Sequence, residues 1–227
     1  MPIRCVTFDL DDTLWDIGPV VDRAESEFYT WLQSGYPEVT RRFELNTLAE
    51  HRRTFYTRHP HKQHDFTWLR RQWLHHIAQE HGYDESFVDD AFEVYFAHRN
   101  SVELFADAQP TLERIASRYK TGVITNGNAC VIRIGIAHHF QFIVSAESAG
   151  AAKPQARIFE AAIAAAGVPA EQIAHIGDDP ERDIKGARRL GMKTIWYNAH
   201  GARWPGGPPP DLSVRTLAEL EPALADL

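Results

Sequence analysis

The chain has 227 residues, 44% of them hydrophobic and 24% charged, with 24 Lys and Arg against 31 Asp and Glu for a net charge of -7. These values exclude intrinsic disorder for most of the chain, and the acid excess argues against a nucleic-acid partner, which calls for a basic face. Two cysteines, Cys5 and Cys130, exclude a disulfide framework.

The N-terminal residues run straight into a strand pattern without the long apolar segment of a signal peptide. The longest uncharged run of small residues, 161–170, falls far short of a membrane span. A cytoplasmic protein with reduced thiols and no membrane partner is therefore expected. At roughly 150 residues per domain, the length leaves room for one domain and a smaller second one.

The first strand is predicted at residues 3–8. It leads into Phe8-Asp9-Leu10-Asp11-Asp12-Thr13-Leu14. Side chains alternate along an extended chain, so Asp9 and Asp11 point the same way. Paired carboxylates at the C-terminal end of a strand lie where open α/β sheets bind ligands. One can attack while the other shuttles a proton. The bland alternative is a turn capped by acids.

Residues 15–104 carry 16 of the 25 aromatic residues and 8 of the 12 histidines, so this stretch reads as a separate module. Helices are predicted at about 20–33, 47–57, 66–80 and 85–98. Trp68, Leu69, Trp73 and Ile77 recur at helical spacing, as do Val88, Phe92 and Phe96, and core packing accounts for both stripes. His59, His61, His64 and His75 lack accompanying Cys or acidic ligands and read as surface histidines.

Further short apolar strands are predicted at 121–124, 142–145, 173–176 and 193–196. Separated by helices, they imply a buried parallel sheet. Thr125 ends the second strand, and the turn Asn126-Gly127-Asn128 follows, with Asn128 as candidate cap of a helix stopping at Gly135. A hydroxyl followed by backbone N–H groups entering a helix can seat a phosphate. Lys153 precedes Pro154, which is expected to open a helix ending at Gly167. Asp178 sits at the end of the 173–176 strand, in Gly177-Asp178-Asp179-Pro180-Glu181-Arg182-Asp183. There Asp179 and Pro180 read as N-cap and first helical residue, and Gly191 as the stop. Asp183 comes about one turn later and could equally complement the helix dipole. Gathered at one sheet edge, Asp9, Asp11, Asp178 and Asp183 would repel without a cation, and hard oxygen ligands point to Mg²⁺. Residues 203–211, rich in Gly and Pro, read as a surface loop.

These four elements, D-x-D-x-T at 9–13, Thr125, Lys153 and G-D-x-x-x-x-D at 177–183, resemble the haloacid dehalogenase (HAD) superfamily. The resemblance implies a doubly wound, parallel-sheet α/β core of the HAD-like Rossmannoid type with an inserted helical cap. The core would comprise residues 1–14 and 105–227, and the C1-type cap residues 15–104. It further implies that Asp9 attacks the substrate phosphorus and that Asp11 protonates the leaving alcohol and then activates water. Thr125, Asn126 and Lys153 would hold the phosphoryl oxygens. Mg²⁺ would be held by Asp9, the main-chain carbonyl of Asp11 and Asp178, with Asp183 placing a bound water.

The expected function is a Mg²⁺-dependent phosphatase acting on a small phosphorylated metabolite, with the cap closing over it. The wording of the motifs looks most like bacterial C1-capped phosphatases acting on flavin mononucleotide and related phosphates. The alternatives are a 2-haloacid dehalogenase, which Asp11 disfavours, a sugar-phosphate mutase, which Asp12 disfavours, and a non-catalytic binding protein. A monomer or homodimer is expected.

Overall fold

The computed structural model describes residues 2–227. Six strands form one parallel sheet: β1 (Cys5–Phe8), β2 (Lys120–Thr125), β3 (Phe142–Ser145), β4 (Ile173–Gly177), β5 (Lys193–Tyr197) and β6 (Leu212–Val214), in the order β3-β2-β1-β4-β5-β6. Every neighbouring pair is parallel. The central strands are buried along their whole length, which is why they read as mostly apolar runs, interrupted by Thr7 and His175, rather than alternating ones. The expected doubly wound α/β class is thus observed. The register sets Phe8 beside both Val123 and Ile176. The C-terminal ends of β2, β1 and β4 therefore lie side by side, delivering Thr125, Asp9 and Asp178 to one edge.

The chain divides into two compact units. The sheet unit holds the residues up to Asp16 together with Glu103–Gly127 and Gly135–Leu227. Its core includes Ile124, Ile158, Phe159, Ala162 and Ile173, all fully buried. The helix Ala156–Ala166 contributes Ile158, Phe159, Ala162 and Ala166 on one face and ends at Gly167 in the left-handed conformation.

The helical unit holds Ile17–Val102 and Asn128–Ile134. Its helices Ile17–Gly35, Leu45–Thr57, Phe66–His81 and Ser86–Arg99 fall where the periodicity places them. Asp65 caps the third by accepting from the Trp68 N–H at 2.9 Å. Phe28, Trp73 and Phe87 are almost fully buried, with Trp31, Tyr36 and Tyr83 packed against them. The aromatic richness of this stretch is in large part its own core. Glu25 lies between Arg52 and Arg70, and the Arg70 guanidinium stacks over the Tyr95 ring.

Several local expectations need correction. The strand expected at 121–124 runs Lys120–Thr125. The sixth strand was not foreseen, because Leu212–Val214 is too short to show alternation. Asn128 caps no helix. The next helical turn is Val131–Ile134, and residues 128–134 join the helical unit, tied by the Cys130 N–H to Asn100 Oδ1 (2.6 Å) and by Arg133 to Glu93 (2.5 Å). Pro154 does not open its helix, which begins at Ala156 with Gln155 as N-cap. The Lys153 amide N–H and carbonyl are both taken by the Asn126 side chain, which holds 153–154 in a turn. Asp179 is the expected N-cap, accepting from Glu181 and Arg182 N–H at 2.8 Å each, but the turn it opens, Pro180–Lys185, is π-helical before Gly186–Arg189.

Candidate active site

Directly after β1 the chain turns on itself. The Leu14 N–H returns to the Leu10 carbonyl (2.8 Å) and the Asp12 N–H to that of Trp15 (2.8 Å). Asp12 takes a φ of 61°, the one positive φ of a non-glycine among the described residues. Asp9 follows the strand directly, its N–H still bonded to the Ile176 carbonyl of β4 at 2.9 Å. Asp11 accepts from the Trp15 indole Nε1 at 3.0 Å. Thr13 Oγ1 donates to Asp178 Oδ1 at 3.2 Å, tying the first loop to the loop after β4. The Asp178 carbonyl is held in turn by Trp196 Nε1 at 2.8 Å.

Lys153 is the hub. Its ammonium lies 2.7 Å from Asp9 Oδ1, 2.6 Å from Asp183 Oδ1 and 2.9 Å from the Ile124 carbonyl, so its three protons have three acceptors. The side chain is 1% exposed. Burial works against its charge, but Asp183 and Asp9 outweigh it and raise the lysine above its ordinary value. Asp183 is equally enclosed. Its Oδ1 also meets His175 Nε2 at 3.2 Å, and its Oδ2 accepts from the Asp179 N–H at 3.1 Å. Burial pushes its carboxyl up, yet Lys153 and His175 together hold it well below the usual carboxylate range. Gly177 makes room for it, since a Cβ there would stand 2.3 Å from Asp183 Cγ.

Asp9 and Asp178 take the burial cost. Desolvation pushes Asp9 well above its ordinary value despite Lys153, with Asp183 and Asp178 adding to the rise. Asp178 is pushed up to about 7 by burial, then by Asp183 and Asp12. Asp9, Asp178 and Asp183 thus have ligand oxygens within 4.8 Å of one another, and the ammonium of Lys153 pairs with two of the three, Asp9 and Asp183. That donor set, all hard oxygen and short of positive charge, fits a divalent cation such as Mg²⁺. Asp183 brings an oxygen to the group but already has three protein partners.

The other expected residues are placed differently. Thr125 is buried at the end of β2, and its Oγ1 accepts from the Gly127 N–H at 3.1 Å. Asn126 commits its side-chain amide to the Lys153 backbone, with bonds of 3.0 and 2.7 Å. Its side chain therefore serves the turn that carries Lys153. Beside the carboxylates the sheet unit opens a cavity of about 560 Å³, lined by Asp12, Asp178, Trp196, Tyr197, His200 and Arg203 among others. The sequence reading missed Trp15, Trp196, Thr7 and His175. A histidine inside an otherwise apolar strand was the available signal for the last.

His59, His61, His64 and His75, read from the sequence as surface histidines, are exposed or partly exposed. A different trio, His51, His76 and Glu80, has ligand atoms within 4.8 Å. There His51 Nδ1 accepts from Trp73 Nε1 at 3.1 Å, and Glu80 meets Arg42 at 3.3 Å, so structural partners already engage the group.

The sequence matches the family model of the haloacid dehalogenase-like hydrolases over residues 3–191. It is similar to the 5-amino-6-(5-phospho-D-ribitylamino)uracil phosphatase YigB of Escherichia coli (strain K12), 31% identical over 226 residues covering 96% of this chain and 94% of the relative. It is also similar to the pyrimidine 5'-nucleotidase YjjG of the same organism, 32% identical over 67% of this chain and 68% of the relative. Among solved structures it is similar to one described as a 2-haloacid dehalogenase from Pseudomonas syringae pv. Tomato DC3000, with a TM-score of 0.92 and 39% identity over 99% of each chain. The family match spans strands β1 to β4, the helical unit and all four motifs, and the chain belongs to the haloacid dehalogenase-like hydrolase family of enzymes.

Proposed function

We propose that this enzyme is a Mg²⁺-dependent phosphatase that hydrolyses a small phosphomonoester through a phosphoaspartate at Asp9. The observation that carries the reading is Asp9 itself. It lies 2.7 Å from a buried ammonium and within a trio of carboxylates, with a second aspartate two residues on. An Asp9 carboxylate oxygen attacks phosphorus and the ester P–O bond breaks. Asp11 gives its proton to the departing alkoxide. Asp11 then takes a proton from water, whose oxygen attacks the same phosphorus. The aspartyl P–O bond breaks, inorganic phosphate leaves and the Asp9 carboxylate returns.

Lys153 holds Asp9 and offers positive charge to the phosphoryl oxygens, with the Thr125 hydroxyl and the Asn126 N–H as further donors. Asp9, Asp178 and the main-chain carbonyl of Asp11 would hold Mg²⁺, with Asp183 behind them. Bound there, the cation neutralises charge developing on the transferring phosphoryl group.

For the substrate, we infer a phosphorylated ribityl chain on a nitrogen heterocycle. Full-length similarity to the ribitylaminouracil phosphatase supports this class, and flavin mononucleotide belongs to it chemically. Residues 15–104 would act as the C1-type cap. Free thiols at Cys5 and Cys130 fit a reducing compartment such as the cytoplasm. Among the described residues, no helix is long and apolar enough to cross a membrane.

The second reading, a 2-haloacid dehalogenase, is favoured by the 39% identity to the Pseudomonas structure. Asp9 would then displace halide from carbon, and a departing halide needs no proton, so that chemistry gives Asp11 no leaving group to protonate. The test is a panel of ribityl, nucleotide and sugar phosphates with and without Mg²⁺, alongside 2-chloropropionate. Phosphate release that chelation and Asp9→Asn abolish supports the phosphatase. Metal-independent halide release with no phosphate release would replace it.

A further inference from the structure

His175 lies beneath the carboxylates, fully buried in the middle of β4. The parallel register places it beside Thr7 of β1. Its Nδ1 stands 3.0 Å from Thr7 Oγ1 and its Nε2 3.2 Å from Asp183 Oδ1. Phe159 packs edge to face on the ring at 5.7 Å. No mechanistic step above uses this residue.

We propose that His175 is a positioning residue for the Lys153–Asp9 pair, held by Thr7 in the form that carries its proton on Nε2. The proposal rests on the reading of Asp9 as nucleophile. The proton's place follows from the neighbours. A carboxylate only accepts, so Nε2 must donate to Asp183; a bare Nε2 would set two lone pairs against each other. Burial disfavours the imidazolium; Asp183 works the other way, but burial with the nearby Lys153 ammonium outweighs it and leaves the imidazole below its ordinary value. Nδ1 is then an acceptor, and Thr7 supplies the hydroxyl proton. The alternative acceptor for that hydroxyl, the Ala174 carbonyl, is farther away at 3.5 Å.

The consequence reaches Asp9 through two groups. Asp183 Oδ1 receives both His175 Nε2 and Lys153 Nζ, so the imidazole fixes the carboxylate plane that aims the ammonium. Lys153 has no fourth donor with which to compensate if Asp183 turns. Loss of the His175 bond lets the carboxylate rotate and draws the ammonium off Asp9. Transition-state charge then suffers more than ground-state binding, which lowers kcat with KM little changed.

The experiment combines kinetics with ¹⁵N NMR of the imidazole in the full chain. His175→Phe is expected to lower kcat by about 10–100-fold, the usual cost of losing a partner behind the reacting groups, with KM within about twofold. His175→Gln, which keeps an N–H near Nε2, is expected to recover part of the loss. In the wild-type chain, NMR is expected to show a protonated Nε2 and a bare Nδ1 that accepts a hydrogen bond. Thr7→Val is expected to remove that bond and lower kcat in the same direction. A proton on Nδ1, or folded His175→Phe and Thr7→Val chains with kcat unchanged, would overturn the inference. Should His175→Phe fail to fold, the wild-type spectrum and Thr7→Val decide alone. Asp9→Asn separates the two levels: if it retains turnover the nucleophile reading fails, whereas if it is inactive while the His175 and Thr7 variants are unaffected only this inference fails.

Discussion

The indole N–H of Trp15 donates to the carboxylate of Asp11 at 3.0 Å, from a side chain that is itself completely buried. A ring fixed by the core thereby sets the direction of an acid that is otherwise half open to solvent. An alkyl leaving group needs a proton in the transition state, and an aryl leaving group of low pKa does not. Asp11→Asn is therefore expected to depress turnover of alkyl phosphates by about 10²–10⁴-fold, the usual worth of general acid–base catalysis, and of p-nitrophenyl phosphate far less. Trp15→Phe should show the same substrate dependence at smaller amplitude. Equal losses on both substrates would mean that Asp11 is not the acid. Parallel steady-state kinetics on the two esters decides.

The part of this arrangement that sequence reveals is the part carried by strand ends. Asp9, Thr125 and Asp178 close short, mostly apolar runs, so a parallel sheet must bring them to one edge. Lys153 was legible through its proline neighbour, although the turn around it is made by Asn126 rather than by Pro154 opening a helix. Trp15 and Thr7 left no pattern and His175 showed only as a polar residue inside an apolar strand, because the partners of all three are set by register and turn geometry. Thr7 meets His175 only because β1 and β4 pair in one register out of several. The short β6 failed for a different reason, since three residues cannot display a period.

Asp178 makes the metal-free enzyme sensitive to pH. Its carboxyl is pushed up to about 7 in the folded chain, first by burial and then by Asp183 and Asp12. The unfolded chain releases this proton near about 4, so between about 4 and 7 the folded state binds more protons. Stability contributed by the protonated group is present below that window and is lost as pH rises through it. Asp9, also raised, acts in the same direction. In chelator, the melting temperature relative to that of Asp178→Asn should fall as pH rises through this window and level off above it, the comparison cancelling the opposite contribution of His51, His139 and His175, whose values burial lowers. Added Mg²⁺ should raise it, more at about pH 8 than at about pH 5.5, because protons compete for the same oxygens. Thermal melts across pH with EDTA or Mg²⁺ test this, and a Mg²⁺ effect that is larger at low pH contradicts it.

Gly177 and Gly122 separate a crowded backbone from a crowded site. A Cβ at Gly177 would meet Asp183 Cγ at 2.3 Å, and Asp183 is anchored to Lys153, His175 and the Asp179 N–H. A Cβ at Gly122 would meet the Phe142 ring at 2.3 Å, on an edge strand where that ring is only half-buried. Both alanine variants should be destabilised by about 1–3 kcal/mol. Only Gly177→Ala should also lose activity, since it displaces the carboxylate that aims Lys153. Denaturant melts paired with kcat for each variant check the contrast.

Lys153 balances two buried carboxylates, and its removal exposes the cost of burying them. Lys153→Met keeps the length of the side chain and deletes the charge, leaving Asp9 and Asp183 without their ammonium. Breaking a buried pair in this way costs about 3–5 kcal/mol. The cost depends on pH with a definite sign. In the wild type, Asp183 lies below its ordinary value because Lys153 and His175 outweigh burial, so its contribution is present at neutral pH and lost only in acid. In the variant burial is unopposed by the lysine, the folded carboxyl rises above its unfolded value, and a proton can take the ammonium's place. The gap in unfolding free energy between wild type and Lys153→Met should therefore be largest near about pH 8 and narrow as pH falls toward about 5. Urea melts of both proteins in chelator measure it, and a gap that is constant or widens in acid would show that Lys153 does not balance these carboxylates.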